Sequence, residues 1–407
     1  MPDFTRPAVH PRPVTPRRHH RGTPDPGQNL DRSASVDRTR PLPKTGNPMS
    51  FPAAVEEPQD ASDRRSDYSV LSRRIRDAGL MRRRHGYYTA VIATNVALYL
   101  GTWAVFPFLG DSWYQLLTAV VLAVLSTQIA FTGHEVGHRQ IFRGRRASEV
   151  AGLTLGNLGI GLGIGWWVDK HNRHHSHPNH VDRDPDIAEG ALSWTEQQVG
   201  KTRGLRLLWT RWQGRLFFPL LLLAGLNLHV SSFRALPTLP PRRRWLEGGL
   251  LVVHFAAYLS ALFLVLSPGK AIAFFFVHKC LFGLYMGSTF APNHKGMPIL
   301  QPGEKIDFFR RQVLTSRNVT GGRFLEWGLG GLNYQIEHHL FPSMPRPALR
   351  HARPIVIEFC QERGVPYHET NLIQSWREIL TYLDEVGNSR AIERAVPAEH
   401  LQPAQRR

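Results

Sequence analysis

Four apolar runs dominate the middle of the chain, residues 86–109, 113–133, 247–267 and 271–292. A helix needs roughly 20 apolar residues to cross the hydrocarbon core of a bilayer, so each run predicts a spanning helix. The first two join through Pro107-Phe-Leu-Gly-Asp111 and the second two through Ser267-Pro-Gly-Lys270. Two more apolar runs, 150–168 and 216–233, are ambiguous on hydropathy alone. The first holds six glycines (152, 156, 159, 161, 163 and 165), which suit tight packing or an interfacial position better than a lipid-facing span. Lys279 interrupts the fourth run; a cation in mid-span is costly and flags function, unless it snorkels or faces His254 and His278 within the bundle.

The flanks read differently. Residues 1–84 are rich in Arg, Pro and Ser and predict a disordered arm. Residues 85–370 form the membrane domain, and 371–407 a cytoplasmic tail. The stretch 347–386 looks amphipathic (Ile355, Val356, Phe359, Leu372, Ile373, Trp376, Ile379, Leu380) and is expected to pack under a cytoplasmic cap. The architecture predicted is all-α: an integral-membrane bundle of four transmembrane helices with a cytoplasmic helical cap.

Charge sets the orientation. The formal net charge is +18, with 50 Lys and Arg against 32 Asp and Glu. The arginines occupy the arm and the loops between apolar runs with no nucleic-acid-binding motif, so membrane lipids are the expected partner and nucleic acid is not. Arg73, Arg74, Arg76 and Arg82 to Arg84 precede the first run; Arg139, Arg143, Arg145 and Arg146 follow the second; Arg242 to Arg244 precede the third. The excess of positive charge on cytoplasmic loops puts both termini inside and both tight turns outside. Cys280 and Cys360 form no spaced pair and are expected as free thiols in a reducing compartment. No apolar core follows Arg17 and Arg18, so no secretory signal is read there.

Three histidine boxes carry the chemistry: His134-Glu-Val-Gly-His138, His171-Asn-Arg-His174-His175 and Gln335-Ile-Glu-His338-His339. Helical residues three or four apart share a face, so His134 pairs with His138, His171 with His174 and His175, and Gln335 with His338 and His339. His294, at the end of the fourth run, is a further candidate. That many imidazoles exceed the four ligands of one zinc and suit two metals; imidazole alone does not name the metal. One centre collecting all three boxes needs an even number of crossings between them, so 150–168 and 216–233 should not cross. Asp184 and Asp186 follow the second box, either to orient imidazole N–H groups or to cap a turn. The first box also matches HExxH, the zinc-protease pattern with Glu135 as general base, but that reading leaves the other two boxes unexplained.

These boxes resemble the membrane fatty acid desaturase superfamily, with HxxxH, HxxHH and a third HxxHH or QxxHH. Gln335, within Gly331-Leu-Asn-Tyr-Gln-Ile-Glu-His-His-Leu-Phe-Pro342, is similar to the branch of front-end desaturases and bacterial acyl-CoA desaturases. The resemblance covers roughly residues 85 to 370. It implies two non-haem iron ions, with O2 as co-substrate, held by His134, His138, His171, His174, His175, His294, His338 and His339. Gln335 stands where stearoyl-CoA desaturases have histidine, as a weak ligand or a water holder. It implies an oxygen-dependent desaturase making a cis double bond in a long-chain acyl, chiefly acyl-CoA, substrate held in a narrow apolar tunnel, with a lipid or carotenoid hydroxylase as the alternative outcome. No His-Pro-Gly-Gly motif of a fused cytochrome b5 is present, so electrons are expected from a separate ferredoxin-like or flavin reductase donor. Trp166 and Trp167 are expected at the membrane interface, and Arg173 or Arg242 to Arg244 near a CoA phosphate.

Overall fold

The computed structural model describes residues 66–395, with side chains as far as 389. Residues 1–65, most of the expected disordered arm, and the end of the tail lie outside the described residues. Helix α1 (Asp67–Asp77) corrects the rest of the arm. Its composition is polar, but Leu71 and Ile75 lie four residues apart on one face and are wholly buried with Phe309, Val356 and Phe359. Such a pair is enough to dock a short helix on a neighbour. Arg74 adds two 2.8 Å hydrogen bonds to Glu362.

The membrane part is helical, as the hydropathy predicts. Helices α2 (His85–Val105) and α3 (Gln115–Gly137) pair through the turn at Gly110. Next come α4 (Arg145–Gly152), a wider π-type turn over Leu153–Ile160, and α5 (Ile164–Ser176). The two arms, Arg145–Ile160 and Ile164–Ser176, bend by 111°, so the glycine-rich run is a broken element and not one straight span. Backbone polar groups inside a membrane must find partners in the protein, and here side chains supply them. His254 Nδ1 donates to the Leu158 carbonyl (2.8 Å), Tyr99 OH to Gly159 O (2.9 Å) and His229 Nδ1 to Gly161 O (2.9 Å). The Gly163 amide donates to Ser232 Oγ, and the Gly165 amide to Glu247. Gly161 has φ +72°, and a Cβ there would sit 2.6 Å from His254; only glycine fits both constraints.

Short helices α6 (Glu196–Lys201) and α7 (Leu205–Arg211) lead to α8 (Gln213–Arg234), α9 (Pro241–Val265) and α10 (Pro268–His294). Proline at the first position starts α9 and α10, where its missing N–H costs nothing. Among the described residues, five helices are long and apolar enough to cross a membrane, against four expected. The fifth is α8 with the turn after it, Gln213–Thr238: the expected apolar stretch 216–233 is continuous helix in spite of Pro219, which lies in the second turn and withholds one donor from the Arg215 carbonyl.

The cap follows: α11 (Phe308–Leu314), β1 (Asn318–Thr320), α12 (Arg323–Gly328), α13 (Gln335–Leu340), α14 (Arg346–Glu362), β2 (Glu369–Asn371) and α15 (Leu372–Ala395). The parallel β1–β2 pair is the only sheet among the described residues. Helix α15 is no separate tail. Ile379, Tyr382 and Leu383 are buried with Phe217 and Ala291. Wholly buried Arg317 donates to Pro292 O and Lys295 O at the end of α10 and to Ser375 O on α15, and pairs with Glu378. This helix thus closes the cap, where the amphipathic stretch 347–386 is expected to pack.

Candidate metal centre

The eight residues singled out by spacing, and His294 singled out by its place at the end of the fourth run, meet where α3, α5 and α10 reach the cap. The end of α3 carries His134 and His138, α5 carries His171, His174 and His175, α10 ends on His294, and α13 brings Gln335, His338 and His339. They sort into two groups. His134, His138, His171, His175 and His338 offer nitrogens that all lie within 4.8 Å of one another, and so do those of His174, His294 and His339. In the first group, His171 Nε2 lies 2.9 Å from His138 Nε2 and 3.0 Å from His175 Nε2. In the second, His294 Nε2 lies 3.3 Å from His174 Nε2 and 3.0 Å from His339 Nε2. Two ligands at right angles on a metal about 2.1 Å away stand about 3.0 Å apart, so this spacing fits imidazoles facing one ion. Nitrogens without partners tell the same story: His134 Nε2 and His338 Nε2 are buried and unbonded.

The far sides of the second group are anchored. His174 Nδ1 lies 3.0 Å from both Asp184 oxygens, His294 Nδ1 donates to Thr315 O (3.0 Å), and His339 Nδ1 donates to Gln312 Oε1 (3.0 Å). A carbonyl only accepts, so the proton sits on Nδ1 and the Nε2 lone pair is free for a metal. Burial, more than the neighbouring imidazoles, pushes His338 and His339 well below the usual imidazole range, so both are neutral ligands at ordinary pH. Gln335 Nε2 lies 2.8 Å from His294 Nε2, while its Oε1 accepts from Asn293 Nδ2 (3.2 Å). The donor set is thus almost wholly neutral nitrogen, which fits borderline divalent metals such as iron or zinc.

A sequence model of the family described as fatty acid desaturase matches residues 111–371, about two thirds of the chain. This protein belongs to the fatty acid desaturase family. Curated relatives agree. An acyl-lipid (9-3)-desaturase of Physcomitrium patens is 31% identical over 320 residues, 76% of this chain and 60% of the moss protein. A Delta(8)-fatty-acid desaturase of Helianthus annuus is 28% identical, over 75% of this chain and 70% of the relative. A Delta(5) fatty acid desaturase of Caenorhabditis elegans is 29% identical, over 77% and 72%. The chain therefore spans about 60% of the length of the moss relative and somewhat more of the other two.

Within this desaturase-family fold, Glu135 is not placed as a protease base. It is buried in an ion pair with Arg346, whose amide donates to Tyr88 OH (3.0 Å). Tyr88 in turn donates to Gln140 (2.8 Å), and Gln140 to Pro342 O (2.8 Å), so this network ties the first box to the chain after the third. Asp186, the weaker of the two acid candidates, pairs with Lys170 and lies 3.5 Å from His174. Asp184 does more, since it also accepts from the Asn179 amide (2.7 Å).

Two residues near the centre escaped the sequence reading. Glu337 accepts from Asn318 Nδ2 (2.8 Å) and Tyr367 OH (2.7 Å), which fixes α13; burial raises its carboxyl above the usual range against those bonds. Gln312 donates to His175 O (2.9 Å) and accepts from His339, so one amide touches both groups. No spacing or composition marks any of these positions.

A narrow apolar crevice reaches His134 from the membrane side. Ile129, Ile160, Leu162, Trp167, Leu228, Met286 and Phe290 are among its walls, and its volume is about 40 Å³. A larger surface hollow of about 690 Å³, lined by Asp111, Trp113 and Lys270, lies at the opposite end of α3. Some 17 residues of helix, roughly 25 Å, separate it from the imidazoles.

Proposed function

We propose that the protein is an oxygen-dependent fatty acyl desaturase, with His134, His138, His171, His175 and His338 holding one iron and His174, His294 and His339 the other. The observation that carries it is the convergence of eight imidazoles into two adjacent groups at the inner end of an apolar crevice. When bound, the metal pair supplies the chemistry: dioxygen, two external electrons, two protons and two hydrogens from adjacent methylenes become one cis double bond and two waters. Gln335 belongs to the second group as a holder of water beside His294. The chain's own residues orient and exclude. Asp184, Thr315 and Gln312 fix imidazole tautomers, and the walls of the crevice keep water from the reacting methylenes.

The substrate is a long-chain acyl group, carried as a CoA thioester or a membrane-lipid ester. Its alkyl chain follows the crevice to His134. A cavity of about 40 Å³ is near the room of one water, so seating a chain requires the walls from α3, α5, α8 and α10 to part. The topology we infer has four crossings, with both termini and the imidazoles on the cytoplasmic side. Both ends of helix α8 stay on that side: Arg211 and Arg215 flank its start, Arg234 and Arg242 to Arg244 its end, as positive charge inside requires. Electrons come from a separate ferredoxin-like or flavin reductase donor. Lipid profiling of a host with and without the gene tests the reading. A new cis-unsaturated acyl species, resolved by lipid class, is expected; an unchanged profile with folded, metal-loaded protein in the membrane overturns it.

A further inference from the structure

A second surface of the centre has no part in holding metal or substrate. It lies where α5 ends and α11 begins, and it is basic. His177 follows the second box by two residues, and its Nε2 accepts from Arg183 Nη1 at 3.2 Å. Arg183 is exposed and adjoins Asp184, which holds His174. Arg311 is half-buried with an unbonded Nε, and it adjoins Gln312, which contacts His175 and His339. Its neighbour Arg310 is neutralised by Asp67 and Asp307, both at 2.8 Å. Neither Arg183 nor Arg311 forms an ion pair among the described residues, although Asp307 also acts on Arg311, whose guanidinium carbon lies 5.9 Å from the Phe308 ring centroid. Each basic group is thus one or two residues along the chain from a side chain or backbone group in contact with the imidazoles.

We propose that His177, Arg183 and Arg311 form the docking surface for a small acidic electron-carrier protein, with Gln312 directly behind it in contact with both imidazole groups. This rests on the desaturase reading and names where its partner binds. Unpaired guanidinium groups at the rim of a functional centre attract an acidic partner and raise its association rate. One double bond takes two electrons; a one-electron carrier docks twice, and each docking oxidises one reduced carrier. The substrate head group is a poorer occupant. The crevice meets α5 at Ile164 and Trp167, in its first turn, whereas His177 lies just past its last, roughly 15 Å further along.

The test uses the full chain, purified with its metals, and a plant-type [2Fe–2S] ferredoxin of net negative charge as the probe. Wild type binds it with an association rate that falls steeply with salt. The double variant Arg183→Glu, Arg311→Glu slows association about tenfold or more and flattens the salt dependence. The variant Arg183→Lys, Arg311→Lys keeps the charge and retains binding. A melting temperature near wild type shows that each variant is folded. Equal ferredoxin binding by the charge-reversed variant, or no binding by wild type, overturns the proposal. So does a variant that keeps ferredoxin but loses binding to vesicles of anionic lipid, which makes the membrane the occupant. Wild type that binds the carrier yet forms no unsaturated product leaves the docking surface standing and fails the desaturase reading. Product formed with dithionite, without carrier binding, does the reverse.

Discussion

Two sets of buried imidazoles sit in this molecule, and they are built for different work. At the cap, the nitrogens of His174, His294 and His339 turn inward to 3.0–3.3 Å spacing while an acid, a carbonyl and an amide hold their far sides. Within the membrane part, His229, His254 and His278 surround Lys279, whose ammonium lies 4.6 Å from the Tyr258 ring centroid. There the Nδ1 atoms of His229 and His254 close off carbonyls of the broken glycine-rich element, and their Nε2 atoms are unbonded. His278 is spent on Tyr258 OH (2.9 Å) and Ser126 (3.3 Å). Those nitrogens are not gathered into a ligand group. Buried histidine alone does not make a metal site; convergence of lone pairs with anchored far sides does. The membrane set instead solves a backbone problem, since an open turn at that depth needs donors from its neighbours. Lys279 neither snorkels nor finds an acid; it is buried against aromatic rings.

The comparison is sharpest at the ligands. His175→Ala or His338→Ala should abolish unsaturated product and lower bound metal from two ions per chain to about one, with insertion into the membrane unchanged. Retained desaturation in either variant would take that residue out of the first group. Next, Asp184→Asn removes the charge behind His174. It should weaken metal binding by the second group about 10–100-fold, seen as metal lost first to a mild chelator. Glu135→Gln strips Arg346 of its buried partner, which should cost about 3–5 kcal/mol of stability while the folded fraction keeps turning over. Complete loss of turnover at wild-type stability would revive a general-base role. The smallest effect belongs to the membrane set. His254→Leu leaves the Leu158 carbonyl without a donor, costing about 1–3 kcal/mol in thermal unfolding. Its metal content should equal wild type; a drop would erase the distinction between the two sets.

Periodicity and length made much of this legible. The four long apolar runs became helices, and the i, i+3 and i+4 spacing of three boxes brought their residues to one place. Even the glycine-rich run declared itself, because six glycines rarely build a straight lipid-facing span. What stayed hidden depended on contacts far apart in sequence. Leu71 and Ile75 look like strays in a basic arm until α14 lies against them. The apolar positions from Leu372 to Leu380 announced packing against the cap, but nothing in that stretch shows that buried Arg317 will fasten it to α10. Gln312 sits in Phe-Phe-Arg-Arg-Gln-Val-Leu with no motif around it, and its role exists only once α5 and α13 flank it. Hydropathy alone left α8 open for a different reason: it measures apolar length, whereas crossing also depends on which side each end must lie, and the parity of the histidine boxes was needed to expect no crossing.

The central claim concerns metal, and elemental analysis of the purified full chain tests it most directly. The account predicts close to two irons per chain, falling to about one in His338→Ala. A single zinc per chain, unchanged by that substitution, would contradict it.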